Sequence, residues 1–277
     1  MTFDKLCNSI LERAFHGTPH DIVGSFDMQK IGTGEGNMAY GWGAYTAESM
    51  EVANTYRKGL KHRDFINKVR NAYDEGYDPQ EAEEALMNAG LDEKEMALVK
   101  ALQKEDWWGF DYPHQAVNAA LKEPDSFEYG EETDNAIKNF GNLYEFNILA
   151  DKENDFLDWN KPLSEQNENV QRKCEHAYSD RYSDSPLAPM PFKDMRKNYG
   201  TEPNGSYIYH SVGNDPKDSS LRLLKHGIKG IKYLDQGSRG VGEGTYNYVI
   251  FDPKIIQIVA KNGEFVMSGK KPEMVSI

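Results

Sequence analysis

The sequence predicts an α+β protein, and three observations predict this class. Apolar and polar residues alternate over several short segments near the two ends of the chain, which is typical of strands. Apolar residues recur with helical spacing in the middle of the chain. Charge divides the same regions, because both ends are nearly neutral while the middle is strongly acidic. Short strands separated from helices in this way favour α+β over an alternating α/β fold.

The composition is that of a folded, acidic protein. The 277 residues are 38% hydrophobic and 12% aromatic, which excludes global disorder. The formal net charge of −13 argues against a nonspecific nucleic-acid binder or a polybasic membrane module. No apolar run approaches the roughly 18 residues of a membrane span. Two cysteines, Cys7 and Cys174, have neither disulfide-framework nor metal spacing, so we expect a reduced, cytoplasmic protein.

The charge distribution predicts how the chain is organised. Three successive segments differ in net charge: +1 over residues 1–70, −18 over 71–184 and +4 over 185–277. Neither end is long enough to bury a sizeable core alone, so we expect the two ends to pack together. The prediction is a single domain over 1–277, with a core of 1–70 and 143–277 and a helical insertion at 71–142. We expect the insertion to present a solvated acidic face, with a partner-docking surface as the alternative.

The first elements in chain order are a short strand over 42–46 and a helix over 47–62. Two amphipathic helices are predicted over 79–89 and 93–104, each preceded by an aspartate that favours a helix start. A third follows Pro113, because proline suits the first turn of a helix.

The second half of the chain begins with residues 143–149 (LYEFNIL), whose alternation predicts a strand. Residues 151–205 are rich in Asp, Asn, Pro and Ser, and they are predicted to be a long irregular excursion. The C-terminal elements are a helix ending at Gly227, a glycine-rich loop and three strands. Their predicted ranges are 219–226 for the helix, 237–244 for the loop, and 228–234, 245–252 and 255–261 for the strands.

A histidine pair stands in the segment HGTPH, at His16 and His20. Two histidines four residues apart converge on a metal only on a helix, and Gly17 and Pro19 disfavour a helix here. We therefore predict no metal site. Taken alone, His16 could equally be a partly buried histidine at the end of a strand.

Two glycine-rich segments are also candidates for chemistry. The first, at 32–36, lacks the third glycine of a dinucleotide fingerprint and the Gly-Lys-Ser/Thr of a phosphate loop, so it is weak evidence for either. The second, at 237–244, holds Glu243 between two glycines. A carboxylate with so little packing around it suits a ligand contact, and an exposed turn is the alternative.

Three motifs, taken in order, resemble those of the diphtheria-toxin-like and poly(ADP-ribose)-polymerase-like ADP-ribosyltransferases. Residues 15–18 (FHGT) resemble the first motif, and residues 43–49 (GAYTAES) with 52–56 (VANTY) resemble the second. Residues 246–252 (YNYVIFD) resemble the third, a strand that normally holds the glutamate of a His-Tyr-Glu triad. Longer sequence segments, including KIGTGEGNMAYGWGAY and FLDWNKPLSEQ, are similar to the ADP-ribosyltransferase domains of phage and prophage proteins. The resemblance covers about 100 residues, at 15–57, 143–166 and 226–259.

The resemblance implies a split β-sheet ADP-ribosyltransferase fold and NAD as substrate. It implies that His16 bonds a ribose hydroxyl, that the Gly17 main chain binds the carboxamide, and that the Tyr45 ring stacks on nicotinamide. It extends the NAD-binding set to Thr18, Ser49 and Tyr56. Because NAD has a diphosphate and the chain is acidic, local cations are also needed. Candidates in the near-neutral ends are Arg57, Lys58 and Arg239.

One position departs from the family pattern. Asn247 stands where the family strand has its glutamate, and Glu243 lies four residues earlier. Either Glu243 supplies the carboxylate from the loop or Asn247 works without a charge, and we expect Glu243 to be the residue that does so. If Glu243 is not required, Asn247 or an acid from elsewhere, such as Asp235, is the remaining candidate. Since replacement of this glutamate often accompanies loss of chain elongation in the family, we do not expect polymer formation.

The expected function is mono-ADP-ribosyl transfer from NAD to a macromolecule of a host or competitor cell. The resemblance to phage proteins implies an effector in the bacterial cytoplasm, acting on a protein rather than a nucleic acid, without a membrane partner or a metal. Two alternatives stay open. One is an NAD glycohydrolase, which differs only in its acceptor, and the other is an inactive NAD- or ADP-ribose-binding module.

Overall fold

The fold is α+β, built on one mostly antiparallel eight-stranded sheet. A computed structural model describes residues 11–18, 22, 26, 39–59, 62–73, 79–183, 185, 190–192, 194, 200, 202–235 and 244–266. The strands within those residues are β1 Leu11–Thr18, β2 Ala44–Ala47, β3 Asn142–Leu149, β4 Phe156–Asp158, β5 Gly230–Leu234, β6 Tyr246–Ile250, β7 Ile256–Lys261 and β8 Glu264–Phe265. Their order in the sheet is β4-β5-β6-β2-β1-β3-β7-β8, and only β4 and β5 run parallel.

The sheet consists of two four-stranded halves that share one residue pair. β1 pairs with β3 along its whole length, and β2 pairs with β6 along its whole length. Between β1 and β2 the register contains only Phe15 opposite Ala47. The strands therefore separate next to this pair, and we call this place the junction.

Nine helices accompany the sheet in the described part of the chain. They are α1 Met50–Gly59, α2 His62–Ala72, α3 Pro79–Asn88, α4 Glu93–Lys104, α5 Pro113–Lys122, α6 Glu131–Asn139, α7 Glu168–Arg181, α8 Gly205–Val212 and α9 Pro216–Lys225. The predicted helices at 79–89 and 93–104 and the one after Pro113 are confirmed, as are the strands at 143–149, 228–234, 245–252 and 255–261 to within two residues at each end. Asp92 closes a capping box on α4, which explains why the aspartate marked its start.

One prediction of secondary structure is confirmed in part and one is wrong. The helix expected over 47–62 is found as α1, which begins later than predicted because Ala47 still belongs to β2. The irregular excursion expected over 151–205 contains β4 and the 14-residue α7. Four residues of α7 are buried and recur at helical spacing: Val170, Cys174, Ala177 and Tyr178. Because most of their neighbours are polar, the composition of the segment suggested a loop.

Helices α2 to α6 lie in sequence between α1 and β3, and they pack around a core of their own. Phe65, Leu98, Leu102 and Phe140 are at most 1% exposed in this helical core. The acidic side chains of Glu93, Glu131 and Glu132 are exposed, whereas Glu95 of α4 is buried. Membrane-crossing helices are absent from the described residues, whose helices are too short or too polar for that role.

The two faces of the sheet bury different sets of side chains. One face presents Tyr45, Tyr233 and Val249, which pack with α7, α8 and α9, and we call it the tyrosine face. The opposite face presents Ala14, Phe146 and other apolar residues of a second core. Directly paired residues of antiparallel strands point to the same side, so the register assigns Asn247 to the tyrosine face.

Candidate functional site

His16 lies at the junction and links the two halves of the sheet. Its Nδ1 donates to the carbonyl oxygen of Tyr45 at 2.7 Å. Since β1 and β2 separate beside Phe15 and Ala47, this carbonyl has left the β1–β2 ladder, and the imidazole supplies its donor. A carbonyl oxygen can only accept, so the proton is on Nδ1 and the neutral ring keeps Nε2 as an acceptor.

The surroundings of His16 hold the imidazole neutral. Its ring lies against Phe26 and Phe146, with centroids 5.0 and 6.4 Å away. Burial lowers the pKa of His16 to about 4, and the bond to the Tyr45 carbonyl offsets only part of this effect. At neutral pH, His16 is therefore a hydrogen-bond acceptor at Nε2 and not a cation.

Gly17 is required by the packing of α1 against β1. A Cβ at this position would lie 1.9 Å from the carbonyl oxygen of Ala53 and 2.5 Å from the backbone nitrogen of Arg57. The helix backbone therefore lies directly on the strand, where any side chain would collide. Packing therefore requires glycine at position 17. This requirement is independent of the carboxamide contact that the family resemblance implies.

Tyr45 uses its hydroxyl to close the turn before β2. The hydroxyl donates to the carbonyl of Gly41 at 2.9 Å and accepts from the backbone N–H of Tyr40 at 3.1 Å. Burial raises the pKa of this phenol above its usual range, so it stays protonated. The hydroxyl is thereby committed to structure, and the partly buried ring is the part that can contact a ligand.

Tyr56 brings an exposed aromatic ring to the same region from α1. Its side chain is 53% exposed. Partial burial raises its pKa, and so do the nearby Asp235 and Tyr40. Tyr45 and Tyr233 also lie within electrostatic range of Tyr56. An exposed ring beside other aromatics and a carboxylate can stack on a planar ligand.

Asn247 is buried in the middle of this aromatic group. It lies opposite Ala47 on β2 and opposite Tyr233 on β5, and it is 4% exposed. Its Nδ2 donates to Oδ1 of Asp235 at 3.2 Å. Its own Oδ1 is buried and accepts no hydrogen bond from the described residues. A buried amide oxygen without a donor is costly unless a ligand or water provides one.

Sequence reasoning did not identify Tyr40 and Tyr233 as members of the site. Their rings stack with centroids 3.8 Å apart at an angle of 8°. Tyr40 lies within the quoted segment KIGTGEGNMAYGWGAY, but Tyr233 lies in an ordinary strand. Only the pairing of β5 with β6, which sets Tyr233 opposite Asn247, indicates its place.

Arg57 is a buried cation beside the start of β3. It is 8% exposed, and its Nε is buried without a hydrogen-bond partner in the described part of the protein. None of the described carboxylates forms an ion pair with it, and burial lowers the pKa of its guanidinium. Its stem packs beside Gly141. Because a buried cation is expensive, a guanidinium without an ion pair to any described carboxylate suits an anionic ligand.

The remaining predicted residues have more ordinary surroundings or lie outside the described residues. Thr18 is buried at the end of β1. Ser49 precedes α1, and its Oγ accepts from the backbone N–H of Val52 at 3.4 Å. Glu243 and Arg239 lie outside the described residues, as do His20 and the glycine segment at 32–36, and the same holds for the side chain of Lys58. In the described ranges, no group of three or more His, Cys, Asp or Glu side chains could hold a metal.

Comparison with known proteins gives no relative from which to transfer a function. No protein-family model matches the chain, and neither a curated protein nor a solved structure is significantly similar to it. Function is therefore inferred from the residues and from their geometry.

Proposed function

We propose that the chain is a mono-ADP-ribosyltransferase that transfers ADP-ribose from NAD to a macromolecular acceptor and releases nicotinamide. One observation supports this most strongly. His16 bonds the backbone carbonyl of Tyr45 at the junction, Tyr45 and Asn247 share the tyrosine face, and Tyr56 lies within electrostatic range of Tyr45, although these residues come from three separate motifs. Residues brought together by folding from opposite ends of a chain are better candidates for a site than residues of any one motif.

The finer fold proposed is the split β-sheet ADP-ribosyltransferase fold with an acidic helical insertion. Two four-stranded halves joined by one pair are what a split sheet requires. The separate core of α2 to α6, between α1 and β3, is the counterpart of the insertion. A gap between two half-sheets leaves backbone groups unpaired, and such groups can bind a carboxamide.

The chemistry of NAD cleavage matches the groups at the junction. Breaking the bond between ribose C1′ and the nicotinamide nitrogen builds positive charge on the ribose, as glycoside cleavage does. His16, neutral and with Nε2 as acceptor, suits a bond from a ribose hydroxyl. The rings of Tyr45 and Tyr56 suit stacking on nicotinamide. A neutral imidazole also adds no positive charge to oppose the developing cation.

Arg57 suits the diphosphate of NAD. The chain has a net charge of −13, so an anionic substrate needs a local cation to offset general repulsion. The guanidinium is already desolvated, so it would bind phosphate without a large further desolvation cost, and no described carboxylate would have to release it.

The proposed acceptor is a protein of a host or competitor bacterium, on the basis of the resemblance to phage domains alone. A second candidate function is an NAD- or ADP-ribose-binding module without turnover. It is favoured by Asn247, because an amide at this position cannot act as a base. An NAD glycohydrolase differs from the transferase only in using water as acceptor.

The test uses the full chain, NAD labelled in its adenylate part, and a bacterial lysate. A transferase releases nicotinamide and labels a lysate macromolecule, a glycohydrolase releases nicotinamide without labelling, and a binding module only binds NAD. His16→Asn should abolish labelling, while His176→Asn, at an exposed position on α7, serves as the matched control. Absence of both NAD binding and nicotinamide release would refute the proposed function.

A further inference from the structure

Asp235 extends the pairing of β5 with β6 by one position and faces the site. Its backbone N–H donates to the carbonyl of Thr245 at 2.9 Å, just beyond the pair formed by Leu234 and Tyr246. Side chains alternate along a strand, so Asp235 lies on the same face as Tyr233. That is the tyrosine face, where Asn247 also lies.

The carboxylate of Asp235 lies between two groups of the site. Its Oδ1 accepts from Nδ2 of Asn247 at 3.2 Å. On its other side, its charge contributes to the raised pKa of Tyr56, so the exposed ring of Tyr56 lies within its electrostatic reach. Asp235 is only partly buried, which leaves it accessible to a bound molecule.

We infer that Asp235 supplies the carboxylate of the transfer reaction, in place of the glutamate that is absent at position 247. This inference rests on the proposed function. As the bond between ribose C1′ and nicotinamide breaks, its electron pair goes to the nicotinamide nitrogen, and the carboxylate stabilises the cation left on the ribose. The acceptor's oxygen or nitrogen then bonds to C1′, and Asp235 takes the proton that the acceptor loses and passes it to water.

Asn247 becomes a positioning residue in this arrangement. Its amide N–H holds Oδ1 of Asp235 and thereby orients the carboxylate. A glutamate at position 247 would bring a second carboxylate into this small buried space, where two like charges disfavour each other's ionised form. The departure from the family pattern thus has a physical reason. Asp235 carries the charge and Asn247 orients it, whereas in the family one glutamate stands at this position.

The experiment measures nicotinamide release and NAD affinity separately in the full chain. Asp235→Asn should lower turnover by about 100-fold or more, the scale of losing one electrostatic stabiliser, while the dissociation constant for NAD changes by less than about threefold. The double exchange Asp235→Asn with Asn247→Asp returns a carboxylate to the same pair from the other strand, and it should regain at least about a tenth of the lost turnover.

Two further variants control for structure and for the alternative acid. Asp252→Asn changes an aspartate that follows the C-terminal end of β6, away from Asp235, and accepts a hydrogen bond from the backbone N–H of Lys254. It should leave turnover unchanged. Glu243→Gln tests the loop glutamate and should cost much less than Asp235→Asn. Asp235→Glu keeps the charge and should retain at least about a tenth of the turnover even if Asp235→Asn folds poorly.

Three results would overturn the inference. They are unchanged turnover in Asp235→Asn, an equal loss in Asp235→Glu, or a large loss in Glu243→Gln with none in Asp235→Asn. In each of these the parent protein still cleaves NAD, so the proposed function stands. A parent protein that neither binds nor cleaves NAD overturns the proposed function and this inference together.

Discussion

The neutral state of His16 predicts how stability depends on pH. The pKa of this histidine is about 4 in the folded protein and about 6.5 when exposed. Between these values the unfolded chain binds a proton that the folded chain does not, so the free energy of unfolding falls as the pH decreases from 6.5 to 4. At 1.36 kcal/mol per pH unit, the loss is about 2 kcal/mol at pH 5 and about 3 kcal/mol at pH 4.

His16→Asn is the variant that isolates this effect. Asparagine does not titrate, and its amide N–H can replace Nδ1 as the donor to the Tyr45 carbonyl. Urea unfolding of both proteins from pH 7.5 to pH 4 gives their difference in free energy of unfolding, from which the other titrating groups cancel. The parent should lose about 3 kcal/mol more than His16→Asn over this range. A difference that stays constant with pH would refute the assignment of a buried neutral imidazole.

Three further predictions concern single side chains. Gly17→Ala should lower the free energy of unfolding by about 3 kcal/mol, measured in urea, because its Cβ would lie 1.9 Å from a carbonyl oxygen of α1; a loss under about 1 kcal/mol would contradict this packing. Tyr45→Phe should cost about 1–3 kcal/mol in the same assay, because two partly buried backbone groups lose their bond to the hydroxyl; an unchanged stability would speak against that turn. Tyr56→Ala should weaken NAD binding about tenfold by calorimetry and leave the melting temperature within about 2 °C, because its ring is 53% exposed; a large drop in melting temperature would show that the ring is structural.

The helices that could be predicted are those whose signals are local. Capping by Asp92, proline at position 113 and apolar residues at helical spacing lie within one or two turns of the element they define. The same locality explains the error over α7, because four buried residues in fourteen leave a mostly polar segment whose composition suggests a loop. A pattern at spacings of four and three was present in that segment, at Val170, Cys174 and Ala177.

The candidate site could be predicted only in part, for a related reason. The motifs at His16, Tyr45 and Asn247 are visible as residue types in order along the chain. Their mutual position depends on the pairing of β2 with β1 and with β6, and the paired residues of β2 and β6 are 200 to 206 positions apart. Strand register is a long-range property, and no local pattern specifies it.

The sequence by itself determined the α+β class, most of the helices and strands, and the residue types from which a function can be proposed. Only the tertiary structure decided that Asp235 lies beside Asn247, that the Tyr45 hydroxyl closes a turn, and that Arg57 is buried without a carboxylate partner among the described residues. The physical reason is that hydrogen-bond partners and burial belong to pairs of residues. The sequence gives the identity of each residue. Its spatial neighbours depend on the packing of α1 on β1 and on the register between β5 and β6.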